Sequence, residues 1–159
     1  MKITIHIPTQ TLALFDDSGM LLRSYSVSTG AKGVGEESGS LCTPRGKHVI
    51  RAKIGAGQPE NTVFVKRRPT GEIYTPELGE QHPKRDWILT RVLWLCGQEP
   101  GYNRWGSCDT MRRYIYIHGT PDATIMGTPG SHGCVRMRNA DLLELFELVP
   151  AGIAVDILA

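Results

Sequence analysis

The chain opens on alternating apolar and polar residues, Met1-Lys2-Ile3-Thr4-Ile5-His6-Ile7-Pro8. Strand side chains alternate with a period of two, so Ile3, Ile5 and Ile7 share one face of an extended segment. Leu12, Leu14 and Phe15 begin a second strand, Asp16-Asp17-Ser18-Gly19 carries turn residues, and Leu22 to Val27 runs back. Residues 11–28 therefore read as a hairpin. Thr29 to Gly46, rich in Gly, Ser and Glu and ending in Thr43-Pro44-Arg45-Gly46, reads as a long, mobile connection. Alternation resumes over Lys47 to Ile54, and Val63-Phe64-Val65 is a further short strand. Lys66 to Lys84 holds Pro69, Gly71, Pro76, Gly79 and Pro83 and reads as irregular.

The most apolar run is Trp87 to Leu95. Its length suits a strand buried on both faces and falls well short of the ~20 residues that span a bilayer. Gly97 to Thr110 is a loop carrying Trp105, and the β-branched and aromatic run Arg113 to His118 is a strand. One helix is expected, with Asn139 as its N-cap and Leu142, Leu143, Phe146 and Val149 at helical spacing. Asp141 and Glu144 lie near its positive end, and Pro150 and Gly152 stop it. Ile153 to Ile157 closes the chain as a strand. Many short strands with one or two helices predict a mainly β fold, a mixed β-sandwich or barrel-like domain spanning residues 1–159.

Composition changes this picture little. Apolar content of 40% and charged content of 21% suit a soluble globular domain, a net charge of +2 gives no case for nucleic acid, and no apolar run is long enough to predict a membrane span. Basic residues cluster at Lys66-Arg67-Arg68, Arg112-Arg113 and Arg136/Arg138. Arg67 and Arg68 read first as solvated loop charge, and second as a shallow positive field that attracts carboxylates. The first residues lack an apolar h-region and a cleavage site, which predicts a cytoplasmic location, or a periplasmic one had a leader been lost. Cysteines at 42, 96, 108 and 134 form no CxxC pair and no zinc-like spacing; an even count permits two disulfides, and a cytosolic location predicts four thiols instead. Cys96 reads as a small core hydrophobe, and Cys42 and Cys108 as loop residues without a role.

Candidate chemistry concentrates in two stretches. Tyr116-Ile117-His118-Gly119-Thr120 ends an apolar strand on a histidine, and sixteen positions after it Ser131-His132-Gly133-Cys134-Val135-Arg136-Met137 carries a cysteine behind a glycine. The turn-rich Pro121 to Gly130 joins them. A thiol is nucleophilic as its thiolate, and an imidazole can take its proton near neutral pH. Cys134 is the candidate nucleophile and His118 the candidate base, with a carbonyl in the Gly119 turn available to orient the ring. Gly133 allows a sharp turn whose N–H groups could face a substrate carbonyl, where losing one donor typically costs ~100-fold or more in rate. Arg136 suits a bidentate pair with a carboxylate. Read singly, each residue is more often structural: an inert cysteine, a satisfied histidine. A zinc site of His118, His132 and Cys134 is a weaker alternative.

The pairing of Ile117-His118-Gly119-Thr120 with Ser131-His132-Gly133-Cys134-Val135-Arg136-Met137 resembles the YkuD-type L,D-transpeptidase family, as does Thr43-Pro44-Arg45-Gly46 ahead of a strand. The resemblance runs from the first strand to Ile157. It implies a mixed β-sandwich and a cysteine acyl-enzyme formed on peptidoglycan stem peptides without metal or cofactor. It implies Cys134 as nucleophile, His118 as base and acid, and Gly119 as the orienting carbonyl. Backbone N–H groups of His132, Gly133 and Cys134 would border the oxyanion, and Ser131, His132, Arg136 and Tyr116 the substrate. Carbapenem-type β-lactams would act as inhibitors. Water as acceptor gives an L,D-carboxypeptidase of murein recycling, the reading a cytoplasmic location favours. An amine gives a 3→3 cross-linking transpeptidase. A non-catalytic stem-peptide binder is the reading from another class.

Overall fold

A computed structural model describes residues 1–159. Ten strands and two α-helices follow one another in the chain. The strands are β1 (Lys2–His6), β2 (Thr11–Phe15), β3 (Leu21–Ser28), β4 (Gly46–Ile54), β5 (Thr62–Val65) and β6 (Arg68–Ile73), then β7 (Leu89–Gly97), β8 (Tyr116–Gly119), β9 (Val135–Met137) and β10 (Ala154–Leu158). The helices are α1 (Pro76–Gln81) and α2 (Asn139–Leu148).

Neighbouring strands run β4-β10-β1-β2-β3-β9-β8-β7, and β7 also pairs with β4, so the sheet closes on itself. The β5–β6 hairpin branches from β7. Most pairs are antiparallel; β1 with β10 and β8 with β9 are parallel. This is the mainly β, barrel-like sandwich that the alternation predicts. Ile3, Ile5, Leu12, Leu14 and Val27 point inward and are fully buried, joined by Leu142, Leu145 and Phe146 of α2 in one core. Burial of each such side chain contributes about 1.5–3 kcal/mol.

Four expectations need correction. Lys66 to Lys84, expected to be irregular, carries β6 and α1. β6 pairs with β5 as an edge strand, where Pro69 loses no ladder bond, and its exposed residues show no alternation to read. α1 starts with Thr75 accepting from Leu78 N at 3.2 Å and Pro76 in its first turn. β8 starts at Tyr116, because Tyr114 adopts φ +58° in a turn and Arg113 bonds back to Asp109. Arg138, rather than Asn139, caps α2: its carbonyl accepts from Leu142 N, while Asn139 is already helical and buried. The connection 29–46 is tied down by Gly35 N on Thr43 O and Ser38 N on Ser107 O.

Candidate active site

β8 and β9 set the site. Their parallel register pairs Ile117 with Val135, His118 with Arg136 and Gly119 with Met137. Ile117, Val135 and Met137 enter the core. The period of two then sends Tyr116, His118 and Arg136 to the opposite face, where Cys134 packs beside Tyr116 in a second apolar cluster with Phe64 and Val92.

His118 is fully buried. Its Nδ1 lies 2.6 Å from the Gly119 carbonyl oxygen, an acceptor only, so the proton sits on Nδ1. Nε2 is then a bare acceptor, buried and without a hydrogen-bond partner. The Cys134 thiol is half-buried; it donates to Tyr114 O at 3.4 Å and accepts from Tyr116 N at 3.3 Å. It makes no hydrogen bond to His118 here. Burial pushes the thiol up to about 12, against the pull of the Tyr116 N–H, Arg136 and Arg113. Burial also holds His118 below the usual imidazole range, opposed by the Gly119 carbonyl and Asp86. Both groups are thus neutral at pH 7.

The turn before Cys134 is built from below. Gly133 has φ +118°, and a Cβ there would stand 2.9 Å from Cys42 O. Thr43 accepts from Gly30 N at 2.8 Å and donates to Gly133 O at 2.9 Å, so the Thr43-Pro44-Arg45-Gly46 segment pins this turn as well as preceding β4. Ser131 is buried: its hydroxyl donates to Cys134 O at 2.5 Å and accepts from Gly133 N at 3.1 Å. That corrects two expectations. Ser131 shapes the turn and does not line the cleft, and the Gly133 N–H is already committed. The N–H groups of His132 and Cys134 have no protein acceptor.

Arg136 is also committed. Its Nη2 lies 2.9 Å from Asp86 Oδ1 and its Nη1 donates to Gly130 O at 2.9 Å, so the free carboxylate anchor expected there is filled from within. His132 is exposed and places Nδ1 3.6 Å from Asp86 Oδ2. Burial alone would raise the Asp86 carboxyl; His118 and Arg136 outweigh it and bring it below the ordinary range. His132 thus turns to Asp86, and His118, His132 and Cys134 do not assemble as a metal-binding group.

Cys134 lines a cleft of about 430 Å³ with Tyr114, Tyr116 and Ile88. Asp86, Lys66 and Arg67 complete it. Sequence reading missed Asp86, which carries no spacing signal next to Trp87. It placed Arg67 in solvent, whereas its guanidinium stands 4.5 Å from the Trp94 ring centre and 4.8 Å from that of Tyr114. Tyr116 takes part through its hydroxyl, which accepts from Arg67 at 3.0 Å.

A closed mixed β-sandwich that brings a thiol and a buried imidazole to one face of two parallel strands defines a class of cysteine–histidine domain. The chain matches the YkuD family model, L,D-transpeptidase catalytic domain, over residues 1–157, and it belongs to that family. The probable L,D-transpeptidase YbiS of Escherichia coli K12 is 48% identical over 118 residues, 69% of this chain and 38% of that relative's length. Among solved structures, an L,D-transpeptidase from Xylanimonas cellulosilytica superposes with a TM-score of 0.60 at 20% identity, over 98% of this chain and 59% of that one. LD transpeptidase LdtMt1 in complex with imipenem gives 0.57 at 16%, over 99% and 58%. These likenesses support the fold.

Proposed function

We propose that this chain is a cysteine acyl-enzyme that removes the terminal D-alanine from peptidoglycan tetrapeptide stems at the L-centre of diaminopimelate. The observation that carries it is the His118 ring. Its Nδ1–H is fixed on Gly119 O, and its unpartnered Nε2 shares a sheet face with the Cys134 thiol. The Cys134 sulfur attacks the scissile carbonyl carbon as its proton passes to Nε2. The N–H groups of His132 and Cys134, free of protein acceptors, receive the oxyanion. Collapse breaks the C–N bond, and the imidazolium returns its proton to the departing amine. A water, deprotonated by Nε2, then adds to the thioester; the thiolate leaves, recovers the proton and frees a tripeptide acid.

Water is the acceptor in this reading, which makes the enzyme an L,D-carboxypeptidase working on murein fragments in the cytoplasm. The cleft of about 430 Å³ at Cys134 has room for a donor peptide segment. The name of the Escherichia coli relative favours a second reading, transfer to an amine and a 3→3 cross-link. Incubation with tetrapeptide, with and without an acceptor stem, separates them by product mass. Tripeptide is expected as the main product in both; a cross-linked dimer as main product would overturn the choice of water. The imipenem-bound neighbour further supports a carbapenem adduct on Cys134, seen as added intact mass in the wild type and absent in Cys134→Ala.

A further inference from the structure

The tip of the β5–β6 hairpin is built at a conformational cost. Val65 pairs with Arg68, so Lys66 and Arg67 alone make the two-residue turn. Both sit at positive φ, 50° and 63°, positions where such turns ordinarily carry Asn and Gly because a Cβ is strained there. Two long cations hold these positions instead, and both line the cleft of Cys134.

Neither cation is neutralised. No carboxylate lies within ion-pair distance of Lys66 or Arg67. The other charges near the thiol are spoken for. Asp86 holds Arg136, and Arg113 donates to the carbonyls of Gly35, Glu36 and Cys42. Arg67 is also held in place: Trp94 and Tyr114 flank its guanidinium, and Nη1 donates to the Tyr116 hydroxyl. A guanidinium fixed by aromatic rings keeps its remaining N–H groups ready for a planar, bidentate acceptor.

We propose that Lys66 and Arg67 form the subsite for a free C-terminal α-carboxylate of the donor peptide, so that the hairpin tip makes the site specific for removing a single terminal residue. This deepens the proposed function and rests on it for the identity of the peptide. The geometry fits the chemistry. In a peptide cut at its last bond, the carboxylate carbon is three bonds from the attacked carbonyl carbon, under about 4 Å away. An anion there falls in the same cleft as the sulfur. An amide or a longer peptide at that position leaves both cations unpaired.

The test has one arm that does not depend on peptide turnover. Iodoacetate and iodoacetamide differ in carrying a carboxylate or an amide, and their rate ratio at Cys134 is divided by the ratio at N-acetylcysteine. This preference for the anion is expected to be about tenfold or more in the wild type. It falls towards one in Arg67→Gln, is partly kept in Arg67→Lys, and declines with added salt. In the second arm, tetrapeptide acid is favoured over its C-terminal amide in kcat/KM by a similar factor, and Arg67→Gln removes that preference. Should Arg67→Gln fold poorly by thermal melting, Lys66→Gln, at an exposed position, carries both comparisons. A wild-type ratio near one, or a ratio unchanged in the variants, overturns the subsite. Anion preference in alkylation without turnover of either peptide overturns the peptidase reading and leaves the subsite standing.

Discussion

At the scale of single residues, the site stores its two reactive groups in neutral form. Burial pushes the Cys134 thiol to about 12 and holds His118 below its usual range. A thiolate is then scarce at rest, and in the proposed mechanism the proton moves to Nε2 only as sulfur attacks. Once protonated, His118 cannot accept, so activity is lost as pH falls through its value. Because that value lies below 6.5, the acid limb of kcat/KM is expected to be centred below pH 6.5. An acid limb centred above pH 6.5 would sink this assignment. Cys134→Ala is expected to abolish turnover with an unchanged melting temperature, since it removes one half-buried sulfur beside the β9 ladder; residual activity above background would exclude Cys134 as nucleophile.

At the scale of elements, the end of β8 is the tightest junction in the site. A Cβ on Gly119 would lie 2.6 Å from Leu89 O and 3.1 Å from Thr90 Cβ, and would also strike Asn139 Oδ1. Glycine lets β8, β7 and the first turn of α2 approach this closely. Asn139 locks the junction: its Oδ1 accepts from the Thr90 hydroxyl at 2.6 Å, and its Nδ2 donates to Asn61 Oδ1 and to Thr120 O at 3.0 Å each. Thr90 itself holds φ +76°, rare for a β-branched residue, inside the irregular β7–β8 register. Gly119→Ala is therefore expected to destabilise the fold by roughly 1–3 kcal/mol and to move the carbonyl that holds His118. Urea unfolding together with the kcat pH profile checks it: a stable variant with an unmoved profile would show that the junction has slack.

At the scale of the whole molecule, closure of the sheet buries a second histidine outside the lining of the cleft. His48 on β4 gives Nδ1–H to Gly46 O at 3.0 Å and accepts from the Thr110 hydroxyl at 2.9 Å. Burial lowers it to about 4. Between that value and 6.5 the unfolded chain takes a proton that the folded chain refuses, so stability falls as pH drops. From pH 7 to pH 5 the loss due to His48 alone is about 2 kcal/mol. Urea midpoints at both pH values measure it: the decrease is expected to shrink by that amount in His48→Asn, and an equal decrease in both proteins would refute it.

Much of this was legible in the chain itself. Ile3, Ile5, Leu12 and Leu14 alternate because one face of each strand is dry, and so the hairpin over 11–28 and the mainly β class follow from pattern alone. His118 and Cys134, each more often structural when read singly, stood out through the likeness of their two motifs to the YkuD family, and the parallel β8–β9 register puts both on one sheet face. Tertiary structure decided the rest. Asp86, Arg67, Thr43 and Asn139 acquire their places from partners 50, 27, 90 and 49 positions away, in Arg136, Trp94, Gly133 and Thr90, and no local period encodes such distances. The same closure filled Arg136 from within and left Lys66 and Arg67 as unpaired cations lining the cleft, because a charge is free or satisfied only according to what the folded chain brings beside it.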